Sequence, residues 1–289
     1  MSFEIVTDTS ANLTEELVEK LDVRVLALSI FNGEEQYNGV TEDGAFDYAD
    51  FYGRLRNKEN MKTALINVDE FSKCFEASLS EGKDVLAIVM SSGISGTYQS
   101  AKIAGDMMSE KYPDRKVIVI DSLSASIGQG LLVYYASEMR KDGKTIDEVA
   151  QWVNDNKLKM VHNFTVEDLF FLKRGGRLSG GVAVIGTILQ IKPLLHVDNE
   201  GHLVTLDKVN GRKKSLNTIV ENFKNSVVNP EEQVIAICHG DCIKDAEYVA
   251  EKIKKEVKVK DIIIDYTAPV LGAHAGPGVL ALFYLADKR

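Results

Sequence analysis

The sequence predicts an α/β protein of two domains, an N-terminal α/β domain on a parallel sheet and a C-terminal α+β domain. The chain has 289 residues, more than one hydrophobic core usually serves. In its first half, short Val- and Ile-rich runs alternate with longer segments of helical period, which is the pattern of βα units. Beyond Lys159 strand-like runs dominate and helices become fewer, so the domains are set at 1–159 and 160–289.

Phe3–Asp8, Val23–Ser29, Asp84–Met90 and Lys116–Asp121 are expected as strands. Tyr98, Ala101, Ala104 and Met108 recur at helical spacing, as do Ile127, Leu131, Tyr134, Tyr135 and Met139. Each set should lay one apolar stripe on the sheet. Thr145–Leu158 reads as a further helix. In the second half His162–Val166, Ile191–Val197, His202–Val209, Val234–His239 and Asp261–Tyr266 are expected as strands. Ser215–Val227 and Asp245–Glu256 are its two clear helices.

Composition narrows the function. Hydrophobic residues make up 45% and charged residues 27%, with 5 prolines, which is a folded, soluble profile. Lys+Arg 34 against Asp+Glu 43 gives a net charge of −9, which argues against a broad surface for nucleic acid or anionic membrane. The longest apolar segment, Gly278–Ala286, is far short of the roughly 20 residues that span a bilayer. The acidic start, Met1 to Asp8, lacks the basic and apolar regions of a signal peptide, so a cytoplasmic protein is expected. Cys74, Cys238 and Cys242 fit reduced thiols. The cluster Cys238-His239-Gly240-Asp241-Cys242 has too few ligands for zinc, and no metal is expected.

In an open parallel sheet, ligands collect where strands end and helices begin. Three such loops carry small hydroxyls: Thr7-Asp8-Thr9-Ser10, Ser91-Ser92-Gly93-Ile94-Ser95-Gly96 and Asp121-Ser122-Leu123-Ser124. The middle loop has no carboxylate and opens a helix at Thr97, whose free N–H groups suit an anion. A helix cap from Ser95 explains the same pattern equally well. Asp8 and Asp121 read more simply as residues that tie loops together. Thr63 alone is an ordinary turn threonine, and His274 falls in a Gly/Pro-rich loop, Pro269 to Gly278. The run Phe170 to Gly181 joins Lys173, Arg174 and Arg177 to four glycines, which let a backbone approach a ligand while arginine forks onto a carboxylate.

Taken in order, these pieces resemble the DegV family of bacterial fatty-acid-binding proteins across essentially the whole chain. The resemblance rests on Thr7-Asp8-Thr9-Ser10-Ala11-Asn12-Leu13, on Ser91 to Ala101, on Asp121-Ser122, on Leu172 to Ser179 and on Gly272 to Gly278. It implies a long-chain fatty acid buried between the two domains, its carboxylate held by Thr63 and Ser95 with support from Arg177 and His274. Ser92, Gly96, Asp8 and Ser122 are candidate supporting contacts. It further implies a non-catalytic carrier of phospholipid metabolism, without a cofactor, that presents the acid to a separate fatty acid kinase for conversion to an acyl phosphate. Two departures stand out. Many members continue Ser-Gln-Pro after the threonine, where this chain has Ala64-Leu65-Ile66. Asn210 also stands where members often carry an arginine implicated in kinase contact, ahead of the basic run Arg212-Lys213-Lys214.

Two other classes compete. A serine acyl hydrolase would use Ser95 as nucleophile and His274 as base, but Gly93-Ile94-Ser95-Gly96-Thr97 is only part of a nucleophile elbow and no orienting acid is evident. A phosphotransfer enzyme would use Asp8, yet a second aspartate and an acidic metal set are missing from that loop.

Overall fold

Alternate residues of the strand Asp84–Val89 are buried on opposite sides of a sheet, and that double burial sets the layer order of the molecule. The computed structural model describes residues 2–37, 46–178 and 190–289. In chain order the first part contains β1 (Phe3–Asp8), α1 (Glu15–Leu21), β2 (Arg24–Leu26), β3 (Ser29–Asn32), β4 (Glu35–Tyr37) and α2 (Tyr48–Arg56). It continues with β5 (Met61–Ala64), α3 (Val68–Ser80), β6 (Asp84–Val89), α4 (Thr97–Lys111), β7 (Val117–Asp121), α5 (Ile127–Lys141) and α6 (Ile146–Asn156). The second part contains β8 (Met160–Thr165), α7 (Phe170–Arg174), β9 (Ile191–Val197), β10 (Leu203–Asn210) and α8 (Arg212–Ser226). It ends with β11 (Val234–His239), α9 (Ile243–Glu256), β12 (Asp261–Tyr266), α10 (Pro269–Ala275) and β13 (Leu280–Leu285).

The first sheet is parallel throughout, in the order β2-β1-β6-β7. On one face Val85, Ala87 and Val89 pack against Phe71 and Phe75 of α3 and Ala101, Ala104 and Met108 of α4. On the other, Leu86 and Ile88 meet α5. The second sheet is mixed, in the order β10-β9-β8-β13-β11-β12, with only β11 and β12 parallel among its described pairs. Its outer face, through Ile235, Ile237, Leu282 and Tyr284, is covered by α8 and α9. Its inner face, through Phe164, Ala236, Ala281 and Phe283, joins the same core as α5. Helices α3 and α6 each begin with a reciprocal capping box, Asn67 with Glu70 and Thr145 with Glu148, which accounts for their sharp starts.

Helix α5 is therefore a shared layer between two sheets. The expected single stripe is too narrow: Leu132, Val133 and Ala136 are buried as well as Ile127 and Leu131. A helix covered on both sides needs apolar residues around most of its circumference. Val23–Ser29 is not one strand but two, β2 in the parallel sheet and the start of β3 in a small antiparallel sheet ordered β4-β3-β5. Thr63 lies in β5, opposite Ile30, rather than in a turn. His274 lies in the last turn of α10, not in a loop. Strand β13, buried on both faces, has no polar alternation to betray it.

Candidate functional site

A cleft with about 810 Å³ of atom-free space, counted to its open side, runs between the first sheet's loops and the second sheet's inner face. Its walls are mainly apolar: Leu28, Met90 and Ile94 on one side, Phe164, Val279 and Phe283 on the other. Thr63, Ser95, Arg177 and His274 also line it. These four come from β5, from the loop before α4, from the segment after α7 and from α10.

The Thr63 hydroxyl and His274 Nε2 lie 2.7 Å apart. Burial first, then the nearby Arg177 and Arg174 charges, pushes the His274 imidazole down to about 4, so the ring is neutral at pH 7. Positive charge at this part of the cleft thus comes from guanidinium. Arg174 is turned against the rings of Phe170 and Phe171, 5.5 and 5.2 Å from their centroids. Arg177 lines the cleft, its Nη1 donating to the Gly175 carbonyl. The Ser95 hydroxyl pairs with the Thr97 hydroxyl at 2.9 Å and accepts from the Thr97 amide at 3.3 Å. The cap position of α4 itself belongs to Gly96, which has no side chain to cap with, so Ser95 meets only the first helical amide. Gly96 stands so near Leu65 that an added Cβ would lie 2.9 Å from its Cδ2, which brings the Ser95 turn beside the end of β5.

The loop carrying Ser95 is clamped from the second part of the chain. Ser91 Oγ donates to the Gly201 carbonyl at 2.8 Å and accepts from the Gly93 amide at 3.1 Å. Gly201, in the turn between β9 and β10, has φ +82, and a Cβ on Gly93 would sit 2.7 Å from its carbonyl carbon. Side chains at either position would drive the loops apart.

A family model described as "Uncharacterised protein, DegV family" matches residues 2–287. The chain belongs to the DegV family. A DegV domain-containing protein of Clostridium perfringens is 44% identical over 99% of this chain and 98% of its own. The solved structure of DegV, a fatty acid binding protein from Bacillus subtilis, superposes with a TM-score of 0.85 at 29% identity, covering 99% of this chain and 100% of that one. A stearic acid-binding protein from Eubacterium ventriosum gives a TM-score of 0.85 at 25% identity over 99% and 98% of the two chains.

The other residues singled out in this DegV chain have local duties. Asp8 is fully buried and accepts from the Ser10 and Met90 amides at 2.9 and 3.0 Å and from Gln129 at 3.1 Å. Burial raises its carboxyl despite those bonds. It holds loops together and is not displayed to the cleft. Asp121 ties its own loop to the Ser95 loop by accepting from the Leu123 and Ser92 amides. Ser122 bonds within its turn, to the Ser124 carbonyl and amide. Ser92, Gly96, Asp8 and Ser122 thus do not line the cleft. Of the Phe170 to Gly181 run, Ser179, Gly180 and Gly181 lie outside the described residues. Arg212 is bound to Asp245 at 2.8 Å, leaving Lys213 and Lys214 as the exposed part of that basic run.

Among the described residues no hydrogen bond joins Ser95 to His274; each has a different partner. No group of three or more His, Cys, Asp or Glu side chains among them is arranged to hold a metal. No described helix is long and apolar enough to cross a membrane. Sequence reasoning missed Ser126, His162 and Thr267, which also line the cleft. His162 is buried and held neutral, pushed down to about 3 mainly by burial. Its Nδ1 faces the Met160 carbonyl at 3.0 Å and its Nε2 accepts from the Ala125 amide at 3.2 Å.

Proposed function

We propose that this chain binds one long-chain fatty acid in the cleft, its carboxylate at Thr63, Ser95, Arg177 and His274, and presents it to a separate fatty acid kinase. Convergence of those four side chains on one largely apolar cleft carries the reading. The relatives with solved structures, named for the fatty acids they bind, support the ligand class. Burying about 15 methylenes would yield roughly 12 kcal/mol at ~0.8 each, before the costs of association and ordering. The tail therefore dominates affinity. Hydrogen bonds to the carboxylate, roughly 1.5–3 kcal/mol each, set orientation. A neutral His274 fits this role, because it can donate to a carboxylate without placing a second buried cation beside Arg177.

Solvent extraction of the purified protein followed by mass analysis tests the ligand. A fatty acid is expected; none, even after loading trials with several chain lengths, would overturn the reading. Kinase presentation is a separate step, tested by mixing loaded protein with a fatty acid kinase catalytic subunit and ATP. Acyl phosphate should form only with both proteins present. Its absence would leave a binding protein without that partner.

A further inference from the structure

Two buried hydroxyls in the cleft serve no purpose that the carboxylate needs. Thr267 lines the cleft and is 4% exposed, and its Oγ1 has no hydrogen-bond partner among the described residues. It stands one residue before Ala268, the cap position of α10, and among the described residues no side chain caps that helix. Ser126 also lines the cleft and is the cap residue of α5, again without a capping bond. Its backbone, φ 56 and ψ −156, lies in a region that glycine normally occupies. Among the described residues its hydroxyl has only a long bond, 3.4 Å, to Asn12 Oδ1, and a weak neighbour in the Cys238 thiol.

The two residues adjoin through Asn12. Its Oδ1 accepts from the Ser126 hydroxyl and from the Ala268 amide, one residue beyond Thr267, while its Nδ2 donates to the Tyr266 carbonyl. Thr267 precedes α10, which rises about 8 Å between Pro269 and His274 at ~1.5 Å per residue. Thr267 is thus set apart from the carboxylate end, and both residues line the cleft that the tail would occupy. A buried hydroxyl left unpaired costs about 1–3 kcal/mol. Valine at 267 or glycine at 126 would remove that cost in a cleft meant for hydrocarbon alone.

Resting on the fatty-acid reading above, we infer that Ser126 and Thr267 form a second polar subsite that takes a hydroxyl or oxo group midway along the acyl chain. The chain accordingly accepts oxygenated long-chain acids as well as plain ones. An oxygen there receives a hydrogen bond from one hydroxyl and, if it is itself a hydroxyl, donates to the other.

Titration calorimetry on delipidated protein tests this with stearic acid and with hydroxystearic acids bearing the hydroxyl at mid-chain or beside the carboxylate. The mid-chain isomer should bind as tightly as stearate or more tightly, and better than the isomer hydroxylated beside the carboxylate. Thr267→Val should shift the affinity ratio against the mid-chain isomer about tenfold, the loss of one hydrogen bond. Ser126→Gly, which suits the local backbone, should shift it the same way by less, and serves if the first variant misfolds. Wild-type rejection of the mid-chain isomer by tenfold or more, or a ratio untouched by both variants, overturns the subsite while stearate binding keeps the fatty-acid reading intact. If neither acid binds, that earlier reading fails and the subsite falls with it.

Discussion

The Thr63 hydroxyl and His274 Nε2 meet at 2.7 Å across 211 residues of chain, one on a strand of the small sheet and the other in the last turn of α10. Neither element belongs to the two large sheets, so this contact fastens the edge of the first part to the second.

Thr63→Val keeps the shape of the side chain and removes its hydroxyl. A half-buried imidazole nitrogen then loses its partner, which costs about 1–3 kcal/mol. Urea unfolding should show that loss, and calorimetry should show fatty acid binding weakened roughly tenfold to a hundredfold, one charged hydrogen bond's worth. Unchanged affinity would remove Thr63 from the carboxylate site.

Ser95→Ala should separate binding from folding. Among the described residues the Ser95 side chain bonds only Thr97, two residues away, and it does not hold the cap position of α4. Thermal stability should stay within about 1 kcal/mol of wild type, while acid loading falls. Turnover of a model thioester that is fast in wild type and lost in this variant would instead make Ser95 a nucleophile.

The large sheets were legible in the sequence because their strands are short apolar runs between helices with clear stripes. Ile191–Val197, Val234–His239 and Asp261–Tyr266 match to the residue. Strand β13 was not, since a strand buried on both faces shows no alternation. Thr63 and His274 were recognisable by family resemblance alone. Their local sequences look like turns, and what makes them strand and helix is tertiary pairing, with Ile30 in one case and packing of Val270 and Ala273 in the other. Ser126 gave no signal, because a positive φ at serine is imposed by its surroundings.

Acid should destabilise the fold in a defined window. His274 titrates near 4 in the folded protein against 6.5 for a free histidine. Between those values the unfolded chain holds more protons than the folded one, so stability falls as pH drops through the window and is unaffected above it. His162, pushed down to about 3, acts in the same direction and extends the loss to lower pH. His274→Gln should therefore flatten the dependence of the urea midpoint on pH between about 6.5 and 4. An equal slope in wild type and variant would show that the ring is not held neutral by the fold.

The contact of Gly93 with Gly201 should be intolerant of even one methyl group. A Cβ on Gly93 would lie 2.7 Å from both the carbon and the oxygen of the Gly201 carbonyl, and 2.9 Å from the Glu200 oxygen. These are backbone atoms, which cannot rotate away as a side chain can. Gly93→Ala must separate the Ser95 loop from the β9–β10 turn and stretch the bond from Ser91 Oγ to Gly201. Overpacking of this kind costs about 1–3 kcal/mol. Because the displaced loop carries Ser95, fatty acid should also dissociate faster. Gly53→Ala is the control: it lies in α2 with no atom of the described residues within 4 Å of the new methyl group, and alanine in a helix should be neutral or stabilise by up to ~1 kcal/mol. Equal stability of the two variants, with unchanged ligand dissociation, would mean that the second part of the chain does not clamp the Ser95 loop.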